Sequence, residues 1–213
     1  YTAQPTLMGI INQYALDNGL SEINLNLGCG GRPITGWINI DNYDYQDGDH
    51  SRSGSDYDIK MDLRQLDVAP ATVDKILLVH VLEHFVRWET LDLLQYFRTL
   101  LRPKGQLIVE MPDFWKCIEL VLRGKDAPHM STPLGPMNMG MTQFYGNQWD
   151  RLDYETHRYV WGIDEFTSAL TEAGYAVLLA SHEAQWHLKG RDMLVVAEAP
   201  SATAAGPLDK SIA

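Results

Sequence analysis

Ile23-Asn24-Leu25-Asn26-Leu27-Gly28-Cys29-Gly30-Gly31 is the stretch that decides the fold. Leucine alternates with asparagine as in a short strand, and the run then breaks into glycine at positions 28, 30 and 31. Glycine permits a tight turn and lets a ligand press on bare main chain at the carboxyl end of a strand. The same letters also describe a plain glycine turn, so the reading rests on what surrounds them. Upstream, Leu7, Ile10, Ile11, Tyr14 and Ala15 recur at helical spacing, with Gly19 placed as a stop. Downstream, Trp37-Ile38-Asn39-Ile40-Asp41 predicts a second strand ending in an acid, and Asn42 to Asp58 reads as polar surface loop. Ile76 to Val81 lacks polar alternation, which predicts a strand buried on both faces in the middle of a parallel sheet. Leu91, Leu94, Phe97 and Leu101 predict an amphipathic helix closed by Pro103 and Gly105. Gln106 to Met111 then predicts a strand stopped at Pro112-Asp113.

The second half changes character. Residues 124 to 150 combine proline and glycine with the run Met137-Asn138-Met139-Gly140-Met141, the composition of a long loop or lid. Asp164 is placed to cap a helix carrying Phe166, Ala169, Leu170 and Ala173, with Gly174 as its stop. Strands follow at Tyr175–Ala180 and Met193–Ala197, and Ser181 to Asp192 between them shows no helical period. That linkage suits an antiparallel hairpin. Strands alternating with helices give an α/β domain with a largely parallel sheet. At 213 residues the expectation is one domain over 1–200, with a lid and acceptor-binding insertion over 124–160 and a flexible tail over 201–213.

Composition excludes several classes. Lys and Arg number 17 against 28 Asp and Glu, a formal charge of -11, which disfavours a surface that tracks nucleic-acid phosphates. No apolar run approaches the ~20 residues of a membrane helix. No charged segment followed by an apolar one opens the sequence. Two cysteines, Cys29 and Cys117, make neither a disulfide framework nor a zinc site on their own. The expectation is an acidic, cytoplasmic protein without nucleic-acid partner or membrane span.

Further motifs follow in a telling order: Asp41 at the end of the second strand, Asp62-Leu63 where a third should end, Val79-His80-Val81-Leu82-Glu83-His84 leaving the fourth, and Leu101-Arg102-Pro103-Lys104-Gly105 before the fifth. With the glycine turn, this set resembles the class I S-adenosylmethionine-dependent methyltransferases, in the type 11-like branch patterned LGCG…D…VLEH…LRPGG. The resemblance covers Ile23 to Pro112. It implies a Rossmann-like sheet of seven strands with the last inserted antiparallel, and helices on both faces. It also implies roles: Leu27, Gly28, Cys29 and Gly30 against the amino-acid end of the cofactor, Asp41 on its ribose, Asp62 and Leu63 at its adenine, Val79 and His80 near the sulfonium. Two departures stand out. Asn26 replaces the acid usual in the family, and only Gly28 to Trp37 separates the first two strands, so the crossover helix is clipped to a turn or two. That shortening is similar to a subgroup linked to surface-polysaccharide synthesis.

The resemblance implies methyl transfer to a small-molecule or glycan hydroxyl, which needs a group to receive the acceptor's proton. His157 is the candidate general base, with Tyr145, Gln148 and Arg158 shaping the acceptor pocket; the alternative is that His157 and Arg158 pin the lid. Trp149, Tyr159 and Trp161 are candidates for a sugar-stacking wall or for packing. His80, Glu83 and His84 form a possible divalent-metal face, which His157 could complete, or else they organise the loop after the fourth strand. N- or C-methylation of another metabolite, or silent S-adenosylmethionine binding, remains open on the same fold. A nicotinamide-dependent reductase is disfavoured, because Pro33 stands where G-x-G-x-x-G needs its last glycine.

Overall fold

The computed structural model describes residues 9–42, 56–131, 135–146 and 155–201. A short helix, α1 (Ile10–Asp17), leads into β1 (Asn24–Leu27), β2 (Ile38–Asp41), β3 (Ile59–Lys60) and β4 (Val73–Val79). Helix α2 (Arg87–Leu100), the long strand β5 (Leu101–Pro112) and α3 (Phe114–Leu122) follow. The expected lid segment holds a small antiparallel pair, β6 (His129–Met130) with β7 (Met137–Asn138), and the one-turn helix α4 (Met141–Tyr145). Helix α5 (Ile163–Glu172) and the hairpin β8 (Ala176–Ser181) and β9 (Asp192–Glu198) follow as the last elements among the described residues.

Seven strands form one sheet in the order β3-β2-β1-β4-β5-β9-β8. The first five run parallel, while β9 pairs antiparallel with both β5 and β8. This is the Rossmann-like arrangement that the resemblance implies. Every residue of β1 is buried, as a strand covered on both faces must be, and Ile76, Leu77 and Leu78 of β4 lie at the centre of the core. Helix α2 packs on β5 with Leu94 and Phe97, and α5 packs on β8 and β9 with Phe166 and Leu170.

Several boundaries differ from the sequence reading. Strand β4 begins at Val73, because Asp74 supports the strand's entry: its carboxylate accepts from Ile23 N at 2.8 Å. Helix α2 stops at Leu100, ahead of Pro103 and Gly105, and residues 101 to 105 are already extended around a bulge at Lys104, whose φ is 65°. Asp164 caps nothing. It lies inside the first turn of α5, where it favours the helix dipole, and Asp113 binds Ile163 N at 2.8 Å instead. Asp113 is fully buried and also caps α3 through Lys116 N, so one carboxylate starts two helices. Helix α3 itself has no counterpart in the sequence reading.

The clipped crossover is the fold's local peculiarity. Residues 28 to 37 carry turns and no helix, yet they join two parallel strands. A helix would satisfy its own backbone; here buried asparagines do so. Asn39 Oδ1 accepts from Ile34 N at 2.7 Å, and Asn39 Nδ2 donates to Ile34 O and to Asp58 Oδ2. Asn26 Nδ2 donates to Arg32 O at 3.1 Å and to Asn39 Oδ1 at 2.9 Å. Removing the amide of Asn39 strands several buried groups, each costing about 1–3 kcal/mol. Asn39→Ala is therefore expected to destabilise the protein by roughly 2–4 kcal/mol in urea unfolding. A loss below about 0.5 kcal/mol, the range of an ordinary surface substitution, contradicts this account of the crossover.

Candidate active site

The glycine turn leaves β1 with Gly28 at φ 63° and Gly30 at φ 54°, a region that side-chain-bearing residues rarely adopt. Gly28 is also a close approach: a Cβ there would lie 2.7 Å from Val81 Cγ2, in the loop beyond β4. The turn is tied sideways to β2. Gly28 N donates to Ile40 O at 2.8 Å, and Gly30 N donates to Asp41 Oδ2 at 2.7 Å. Leu27 and Cys29 are buried on either side of Gly28. Asn26, where the resemblance implies an acidic residue, is committed to the crossover. Asp62 starts the single 3-10 turn Leu63–Gln65 by accepting from Arg64 N, and its carboxylate is also forked by the Arg64 guanidinium. Arg64 thereby holds the Asp62 carboxyl below the usual range.

Val79 ends β4, and His80 follows at φ 55°, a strained conformation for a non-glycine residue. Two buried carboxylates hold it there. Nδ1 faces Glu83 Oε1 at 3.0 Å and Nε2 faces Asp192 Oδ2 at 3.1 Å, while the ring stacks on His187 at 4.0 Å. Burial alone would push the imidazole's pKa down, but Glu83 and Asp192 outweigh it and raise it to about 9. Burial would likewise raise Glu83, and the charge and contact of His80 bring it down to about 2. Arg191 forks Asp192 from its other side, through Nε to Oδ1 at 2.6 Å and Nη2 to Oδ2 at 2.7 Å.

Two acids that sequence reasoning missed assemble this end of the sheet. Glu110 in β5 accepts the backbone N–H groups of Gln185, Trp186 and His187, and Asp192 in β9 accepts that of Leu188. Together they draw the β8–β9 loop over the end of β4, where His187 Nε2 meets Arg32 Nη1 at 3.2 Å. The signal for Glu110 was in the sequence: a lone carboxylate in the apolar run Leu107-Ile108-Val109-Glu110-Met111. A charge buried in a strand has to have partners.

A second cluster lies beside the first. Arg158 N and Tyr159 N both donate to Glu83 O, at 2.7 and 3.3 Å, which lays residues 156 to 159 along the Leu82–His84 turn. His157 and His84 then meet edge to face at 4.8 Å. His157 Nδ1 donates to Gln143 O at 2.7 Å, and His84 Nδ1 donates to Thr156 O at 3.2 Å. A carbonyl only accepts, so each neutral ring keeps its lone pair on Nε2. Burial lowers the pKa of His157, with Glu83 opposing in part, so the ring stays neutral at physiological pH. Gly146 secures the same segment from the lid: at φ 77°, a Cβ there would run into the Glu155 carbonyl.

The other candidates are distributed around this centre. Tyr145 ends α4 with 58% of its surface exposed, and the Arg158 side chain is exposed. Gln148 and Trp149 lie outside the described residues. Trp161 is fully buried against Phe166 and Tyr159, which removes it from any sugar-stacking wall. Among the described residues, no helix is long and apolar enough to cross a membrane.

A methyltransferase-domain model matches residues 4–180. The chain belongs to that family. Its fold is similar to an S-adenosylmethionine-dependent methyltransferase from Methanosarcina mazei, with a TM-score of 0.56 at 12% identity over 87% of this chain and 97% of that one. It is similar as well to the 1,6-didemethyltoxoflavin-N1-methyltransferase of Burkholderia thailandensis, solved with S-adenosylhomocysteine (TM-score 0.52, 13% identity, 88% and 75% covered). A third likeness is to the CurJ carbon methyltransferase (TM-score 0.52, 14% identity, 85% and 50% covered). No functionally curated protein matches the sequence. The chain thus carries a methyltransferase domain on a Rossmann-like sheet, and the glycine turn at the carboxyl ends of β1 and β2 occupies the place where open α/β sheets bind ligands.

The clamp on His80 has a pH signature. A raised pKa contributes stability that is complete below the unfolded value of 6.5 and is lost as pH climbs through about 9. In EDTA-containing buffer, the His80 ring signal is expected to titrate near 9 by NMR, with unfolding free energy declining over the same interval. Titration at 6.5 contradicts the clamp.

Proposed function

We propose that the enzyme methylates a hydroxyl group of a small-molecule or glycan acceptor, with His157 receiving the acceptor's proton. The observation that carries this reading is the orientation of His157: Nδ1 is spent on the Gln143 carbonyl, and the neutral ring keeps a lone pair on Nε2. An alcohol needs such a group, whereas a thiol or amine acceptor needs it less.

The residues fit S-adenosylmethionine. Gly28 and Gly30 leave the turn after β1 without side chains, so a ligand could approach its main chain, and Asp41, which accepts from Gly30 N–H, would take the ribose hydroxyls. Leu27, Cys29 and Gly30 complete the turn that would receive the methionine end, Asp62 and Leu63 would border the adenine, and Val79 and His80 would face the sulfur. When bound, the cofactor supplies an electrophilic methyl group for in-line displacement by the acceptor oxygen. The protein's part is to hold the two partners collinear and dry, an effect worth ~7–11 kcal/mol when fully realised. His80 contributes by position, since its two carboxylates fix the loop that carries Val81 over Gly28. Tyr145 and Arg158 would shape the acceptor pocket, and the resemblance gives Gln148 the same role.

Asp41→Ala is expected to weaken S-adenosylhomocysteine binding about 10- to 100-fold by calorimetry, the loss of a charged hydrogen-bonding group. His157→Ala is expected to lower turnover about 10²–10⁴-fold with cofactor affinity unchanged. Full turnover in the His157 variant removes the base and returns that residue to pinning the lid.

A further inference from the structure

Glu83 has an unresolved need. Its side chain is 1% exposed, and neither carboxylate oxygen accepts a hydrogen bond from the described residues. The His80 contact at 3.0 Å is a charge contact from one side only. A buried ionised carboxylate with idle lone pairs is costly, and an ion is one of the few things that relieves it.

Two imidazoles offer the complement. One ligand atom each from Glu83, His84 and His157 lie within 4.8 Å of one another. Both rings donate Nδ1–H to backbone carbonyls, Thr156 O and Gln143 O, the second bond that fixes the tautomer of a metal-bound histidine. His80, itself held by Asp192, backs Glu83 from behind, as ligating carboxylates are usually backed. The neighbouring group of His80, Glu110 and His187 also lies within ligand range but is spent. Glu110 already accepts three backbone N–H groups, and both nitrogens of His80 face carboxylates.

We propose that Glu83, His84 and His157 bind a divalent transition-metal cation. Two imidazoles and one carboxylate suit zinc, manganese, iron or cobalt better than calcium or magnesium, which prefer all-oxygen shells. Three protein ligands also leave coordination positions open. This deepens the hydroxyl-methylation reading and rests on it only for the cation's role. With the site loaded, His157 is a ligand, and an acceptor hydroxyl coordinated and acidified by the cation would release its proton to solvent as its oxygen takes the methyl group. With the site empty, the Nε2 lone pair of His157 is the base.

Binding can be tested without turnover. Tag-free, EDTA-treated protein is titrated with Co²⁺ and followed by visible d–d absorption, with S-adenosylhomocysteine affinity measured by calorimetry on the same samples. One equivalent of Co²⁺ is expected to develop absorption, and His84→Ala and His157→Ala are each expected to weaken it more than about tenfold while S-adenosylhomocysteine still binds. These variants leave the Glu83–His80 pair in place, so folding is checked by their unchanged cofactor affinity. Absence of d–d absorption at tenfold excess Co²⁺, or absorption unchanged in the double variant, overturns the site. Cofactor binding without cobalt binding defeats this inference alone. Cobalt binding without cofactor binding defeats the methyl-transfer reading alone.

Discussion

The close approach of Val81 to Gly28 is the constraint on which the upper end of the sheet depends. It interlocks the turn after β1 with the loop after β4, so neither can be rebuilt without the other. Position 28 must be glycine twice over, for its left-handed φ and for want of space. Val81 reaches its place because the chain turns sharply at His80, and His80 tolerates that conformation because two buried carboxylates hold its ring. A strained residue over-determined by its surroundings is common at functional sites, and here the surroundings are ionic. The bare main chain at the cleft is therefore maintained from a distance, by Glu83 in the adjoining turn and by Asp192 in the last strand.

The same logic explains the layout of the polar groups. Buried charges in this protein do not sit singly. Glu110 and Asp192 gather the β8–β9 loop, Asp113 starts two helices, and Asn39 replaces a missing crossover helix with side-chain hydrogen bonds. Each spends a polar group in the core to order backbone that has no regular partner, which is how a chain short of helical crossovers still closes its sheet. Glu83 differs from these: it faces His80 at 3.0 Å, orders no backbone N–H through its side chain, and lies beside the imidazoles of His84 and His157.

Much of the fold was legible because local patterns agreed with one another. The apolar run of β4, the glycines after β1 and the helix-free link before β9 each pointed to the same mixed sheet. The elements that escaped had misleading local signals. Strand β4 begins with Asp74 and Lys75, which look like loop until their strand neighbours are known. Helix α3 is apolar over most of its length yet buries only Cys117, so its residues suggest neither stripe nor loop. Asp164 looked like a cap, but the carboxylate that serves α5 lies at Asp113, fifty positions earlier. At the site, Asp41 and the glycines could be placed from motif order. The ion pair of His80 with Asp192 spans 112 positions, and the meeting of His84 with His157 depends on backbone bonds to the Glu83 carbonyl; no local spacing encodes either.

The family, the sheet and the interlocked turn support the central proposal, that the methyl donor lies against the main chain of residues 28 to 30 beside Asp41. A crystal structure grown with saturating S-adenosylhomocysteine tests it most directly. The account predicts the adenosyl group seated there, its ribose hydroxyls on Asp41 and its amino-acid end against the main chain of residues 28 to 30. Density for the ligand elsewhere on the molecule, or no ligand beside residues 28 to 30 at full saturation, contradicts it.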